Sequence, residues 1–147
     1  MTENHERNLC LLLRAVGSVA LLAAFFVFVP FAWMAWIHQM LGMGQLPSEP
    51  VVGYLARSTS AFYAMLGGLF WVMSYDTRRY CPVLKYLGVF LVLIGLVLLG
   101  VDLIEGMPWW WSLSEGPFNL GFGLIILWLC REMRREQGDS KTGHTAT

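Results

Sequence analysis

The sequence predicts an all-α fold, a four-helix transmembrane bundle with N and C termini cytoplasmic, and three observations lead there. Of the 147 residues, 56% are hydrophobic and only 14% charged, with a mean hydropathy of +0.56. A soluble domain carries about 25% charge, so this chain lacks the polar surface to face water on all sides. Four apolar stretches recur along it, separated by polar or turn-forming segments. Ten Lys and Arg residues are balanced by ten Asp and Glu, which excludes a strongly basic nucleic-acid binder.

Each span follows from the length a bilayer demands. A hydrocarbon core about 30 Å thick takes roughly 20 apolar residues per helix. Residues 1–8 read as a cytoplasmic tail and 9–135 as the membrane domain. The first span, at about 12–37, surrounds the uncharged run Ala15–Ile37, and Pro30 is predicted to kink it. The second, at about 51–75, is uncharged from Ser58 to Tyr75 and opens beside Pro50. The third, at about 83–104, is uncharged from Tyr86 to Val101. The fourth, at about 114–132, is uncharged from Gly116 to Cys130, with Pro117 near its start. Residues 136–147 read as a flexible cytoplasmic tail.

The positive charges orient the spans. Arg7 and Arg14 precede the first; Arg78, Arg79 and Lys85 surround the turn between the second and third; Arg131, Arg134, Arg135 and Lys141 follow the fourth. Arg57 alone falls on the other side. The expected location is therefore the cell membrane, inner or plasma, with the protein crossing it several times. The N-terminal apolar run is too long for a secretory signal and is read as retained. Cys10, Cys81 and Cys130 lie at the cytoplasmic boundary with no zinc-like spacing and are read as free thiols.

Helical spacing then groups small and polar residues. Gly88, Gly95 and Asp102 recur every seven residues on the third span. Arg57, Ala61, Ala64 and Gly68 share one face of the second; Glu115, Asn119 and Gly123 stack on the fourth. Small residues let membrane helices approach closely, so Ala61, Ala64, Gly68, Gly88, Gly95 and Gly123 are the expected packing positions. Each stripe ends in a charge at the outer boundary. Arg57 lies near the positive end of its helix and Asp102 near the negative end of its own, so each gains from a partner of opposite sign. An Arg57–Asp102 ion pair is expected, with Glu105, Glu115, Asn119 and His38 completing a polar cluster. That cluster is either structural or a ligand-binding site opening outward.

The sequence carries no Gly-rich phosphate loop, no HExxH and no nucleophile with a nearby base. His38 alone among the histidines lies near a span, so one chain cannot supply two axial ligands to an intramembrane haem. No metal and no cofactor is expected. Ahead of the first span, Leu12-Leu13-Arg14-Ala15-Val16-Gly17, an Arg entering the helix followed by Gly, resembles the opening of DoxX-like four-helix membrane proteins. Arg57 before Gly67-Gly68 is similar to the same group. That resemblance implies a four-helix bundle and an accessory role beside a membrane redox enzyme acting on sulfur compounds or quinone. The residues themselves lead to a multi-pass membrane protein without its own catalysis, an accessory or scaffold subunit. Its expected partners are the lipid bilayer and either further copies of itself or a larger membrane complex. The alternatives are a transporter- or channel-like oligomer with an outer acidic cation entrance and, as the DoxX-like resemblance implies, a subunit of a quinone-linked redox complex.

Overall fold

The structure, a computed structural model, describes residues 2–143, with side chains from 4 to 136. Every regular element among them is helical: α1 (Thr2–Leu21), α2 (Ala23–Phe28), α3 (Phe31–Met40), α4 (Pro50–Ser74), α5 (Cys81–Glu105) and α6 (Trp109–Gly143). Among the described residues three stretches are long and apolar enough to cross a membrane: Asn4–Phe28, Cys81–Glu105 and Trp109–Glu136. The helix α4 equals α5 in length at 25 residues, but Arg57, Ser58, Thr59 and Ser60 make its first half more polar. The chain divides into two compact units, one comprising the residues up to Cys10 with Asp76 onward, the other Leu11–Tyr75.

The unit Leu11–Tyr75 departs most from the expected spans. Its apolar run is three helical pieces rather than one kinked helix. At Leu22 the break is slight, because its N–H is shared between the Ser18 and Val19 carbonyls at 3.3 and 3.2 Å. At Val29 it is complete: the residue before proline takes extended torsions (φ −63°, ψ 136°), and Pro30 has no N–H to continue the ladder. The apolar helix that fits a membrane therefore ends at Phe28 and extends back to Asn4, which puts Arg14 inside it.

Within this unit α1 and α4 touch backbone to backbone. A Cβ added to Gly67 would lie 2.6 Å from the Gly17 carbonyl oxygen, and one on Gly17 would lie 2.9 Å from that of Gly67. The expected packing face of α4 is thus displaced by one residue. Gly68 has open space where its Cβ would be, and Ala61 is exposed and Ala64 only half-buried. The inward face runs instead through Gly67, Phe70 and Ser74, all buried.

The other unit is an α5–α6 hairpin joined by Gly106, Met107 and Pro108, with the start of α1 beside it. Gly106 closes α5 in the left-handed region (φ 66°, ψ 35°), and its N–H and that of Met107 both reach the Asp102 carbonyl. Pro108 then opens α6, accepting from Trp111 and Ser112 at 2.9 and 3.2 Å. The helix begins at Trp109, ahead of the expected Ser114, and leaves Pro117 inside it. It continues through Gly143, past the expected end at 132; the last four residues of the expected tail lie outside the described ones. The expected N-terminal tail is helical from Thr2. His5 meets Trp128 edge-on at 5.6 Å, Leu9 is fully buried and Glu6 pairs with Arg78 at 2.7 Å.

Four glycines set the α5–α6 spacing. A Cβ on Gly123 would lie 2.6 Å from the Gly88 oxygen, and one on Gly95 would lie 2.8 Å from that of Gly116. Gly88 therefore sits opposite Gly123, and Gly95 opposite Gly116. Seven residues further along α5 comes Asp102; the matching step back along α6 reaches Trp109.

Candidate functional site

The residues expected to form one polar cluster fall in both units. Arg57 and His38 belong to Leu11–Tyr75; Asp102, Glu105, Glu115 and Asn119 belong to the α5–α6 hairpin.

Arg57 is occupied by the break at Pro30. In an unbroken helix the Val27 carbonyl would accept the N–H of residue 31, but the extended Val29 carries the chain away. The Arg57 guanidinium donates to that carbonyl through Nη1 at 2.7 Å. The carbonyl end of α2 is the negative end of a helix, so the cation gains from the dipole as well as from the hydrogen bond. At the far end of α3, His38 Nδ1 lies 3.1 Å from the Gly44 carbonyl and braces the loop that follows.

A second polar group in this unit was not singled out as a site from the sequence. The Arg14 Nε donates to Ser74 Oγ at 3.1 Å, and Ser74 donates on to the Trp71 carbonyl at 2.7 Å. The guanidinium carbon lies 5.3 Å from the Trp71 ring and 5.6 Å from that of Tyr75, within the range of cation–π attraction. Trp71 Nε1 donates to Ser18 Oγ at 3.2 Å. Arg14, Ser18, Trp71 and Ser74 follow helical spacing on α1 and α4, a signal that sequence inspection can find once the two helices are paired.

On the hairpin, Glu115 Oε2 accepts from Trp111 Nε1 at 2.7 Å, and Asn119 Nδ2 donates to the Glu115 carbonyl one turn back at 2.9 Å. Glu105, the last residue of α5, is exposed. Asp102 differs from all of these. Its residue surface is 5% exposed, and its Oδ2 is buried without a hydrogen-bond partner among the described residues. It lines an open pocket of about 420 Å³ with Leu99, Leu103, Gly106, Met107, Trp109, Ser112 and Leu113. Ser112 is likewise buried, and nothing in its sequence surroundings marked it out. The rest of the wall is mostly hydrocarbon and indole.

At the opposite end of the hairpin a hollow of about 290 Å³ is lined by Arg78, Cys81, Pro82, Lys85, Met133 and Arg134. One of its cations, Arg78, is held by Glu6. The three cysteines are free, with Cys81 Sγ 3.9 Å from the Cys130 carbonyl. Among the described residues no three His, Cys, Asp or Glu side chains converge as a metal ion would require.

In comparisons with known proteins, no family model, no curated protein and no solved structure matches this chain. The candidate site is therefore defined by its own geometry: a buried acid, an aromatic ring and apolar walls at one end of a glycine-packed helix pair.

Proposed function

We propose that the chain is a four-pass protein of the inner or plasma membrane, both termini cytoplasmic, acting as a non-catalytic accessory or scaffold subunit. In this reading α1 to α3 make the first pass, broken at Pro30, and α4, α5 and α6 make the others. The observation that carries it is the use made of polar side chains. Arg14 and Arg57 direct their hydrogen bonds to another helix, while Glu115 accepts from the Trp111 indole and Asn119 donates to the Glu115 carbonyl, both within α6. Large apolar side chains meanwhile face outward, Phe28 at 85% and Ile104 at 84% exposure, as lipid or a partner subunit requires. Native mass spectrometry of the protein gently extracted from its own membrane tests this. A defined heavier assembly with another subunit is expected; a monomer or a bare homo-oligomer refutes the accessory role.

A second reading is favoured by one observation, the unpartnered Oδ2 of Asp102. It is a channel- or transporter-like oligomer with Asp102 at an outer cation entrance. Asp102→Asn separates the two. A conduit loses cation flux while staying folded and assembled; a scaffold shows no cation flux in either form.

A further inference from the structure

We propose that the pocket at the α5–α6 turn binds an amphiphilic organic ammonium, its charge on the Asp102 carboxylate and its hydrocarbon body against Trp109 and the surrounding leucines. Two independent observations point to a ligand. Asp102 is only 5% exposed, yet Oδ2 has no donor among the described residues. A buried acceptor left unmade costs about 1–3 kcal/mol, more when it is charged, so a donor supplied from outside is favoured. The same residue also lines an open pocket of about 420 Å³, inside the range that small-molecule sites occupy.

The wall selects the class of cation. A hard inorganic ion such as calcium takes six or more oxygen ligands, whereas among the described residues the only side-chain oxygens lining this pocket are those of Asp102 and Ser112. Leu99, Leu103, Leu113, Met107 and Trp109 supply the remainder. These surfaces bind carbon, and an indole face also attracts an ammonium group. Leu103, Trp109 and Leu113 are more than half exposed, so the hydrocarbon end of a ligand can extend into the boundary layer of a bilayer. Asp102 lies within one turn of the end of its apolar helix, at the depth where amphiphilic amines collect. The proposal shares its carboxylate with the cation-entrance reading but needs no transport, so ion flux and amine binding can fail separately.

The test uses the full-length protein in bilayer nanodiscs of neutral lipid. Phenethylamine at neutral pH, 2-phenylethanol as its uncharged counterpart, and sodium and calcium chloride are titrated by calorimetry. The amine should bind at least about tenfold more tightly than the alcohol. Asp102→Asn should erase that preference, and Trp109→Leu should weaken the amine several-fold. Equal binding of amine and alcohol overturns the proposal, as does amine binding that survives in Asp102→Asn. It is also overturned if calcium or sodium binds and displaces the amine, which would make this an inorganic-ion site. Amine binding that emerges only in Arg57→Ala would show Asp102 already satisfied by that cation, and overturns it too. Should Asp102→Asn not fold, the amine-to-alcohol ratio of the unaltered protein decides alone.

Discussion

Gly123→Ala should break the tightest contact in the α5–α6 hairpin. The added Cβ would lie 2.6 Å from the Gly88 carbonyl oxygen and 3.0 Å from both the Val92 nitrogen and its Cγ2. Ordinary contact begins near 3.4 Å, and two of the three obstacles are backbone, which cannot rotate away. The helices must part by most of an ångström, and every contact along the seam loosens with them. Overpacking of this kind costs about 1–3 kcal/mol. Against it stands the better helix propensity of alanine, worth about 1 kcal/mol. The net expectation is a loss of up to about 2 kcal/mol. The same helices contain their own controls, since Cβ atoms on Gly100 and Gly121 meet nothing within 4 Å. Gly100→Ala and Gly121→Ala should be neutral or slightly stabilising. Reversible unfolding in mixed micelles, followed by tryptophan emission, gives all three values on one scale. If Gly123→Ala proves as stable as Gly121→Ala, the helices do not meet at the glycine seam.

Arg57→Ala should destabilise the protein by about 1–3 kcal/mol, because it strands the Val27 carbonyl beside Pro30. In a Pro30→Ala background, where the helix can close its own ladder, the same change should cost less; additive effects in this cycle would refute the capping role. Arg14→Met keeps an unbranched apolar stem but removes the donor to Ser74 and the charge over Trp71 and Tyr75, and a loss of about 1–2 kcal/mol in the same unfolding assay is expected. Glu115→Gln preserves an acceptor for Trp111 Nε1 and should be nearly silent, whereas Glu115→Leu should blue-shift tryptophan emission and reduce stability by about 1 kcal/mol.

The helical class was legible because hydropathy and length constrain it so strongly; the placement of single contacts was legible only where one choice existed. On α5 and α6 the glycines recur at seven-residue spacing, which leaves one face for them to share, and Gly88, Gly95 and Gly123 lie where the two backbones meet. On α4 the adjacent Gly67-Gly68 pair offers two faces a hundred degrees apart, and only Gly67 is in contact. Arg57 follows the same logic. Its position at the positive end of α4 rightly calls for negative potential, but a helix terminus supplies that as well as a carboxylate does. The carbonyl end of α2 exists only because Pro30 ends the helix, a long-range consequence that no local pattern announces. Pro117 misled in the opposite direction, since a proline near a helix start also fits inside one, and Pro108 was the residue that opened α6. Asp102 was legible as a member of a polar cluster but not as the buried acid of a largely apolar pocket, because burial and the surrounding wall are properties of the folded pair.

The three-residue turn between α5 and α6 bears on how the protein is made. These two helices leave the ribosome in immediate succession and are tethered at an effective concentration that separate segments never reach. Their contacts join consecutive helices, and pairings nearer in the chain form earlier than distant ones. A seam where four glycines let the backbones meet suits two helices that are born side by side, and the pocket around Asp102 takes shape as soon as that hairpin closes.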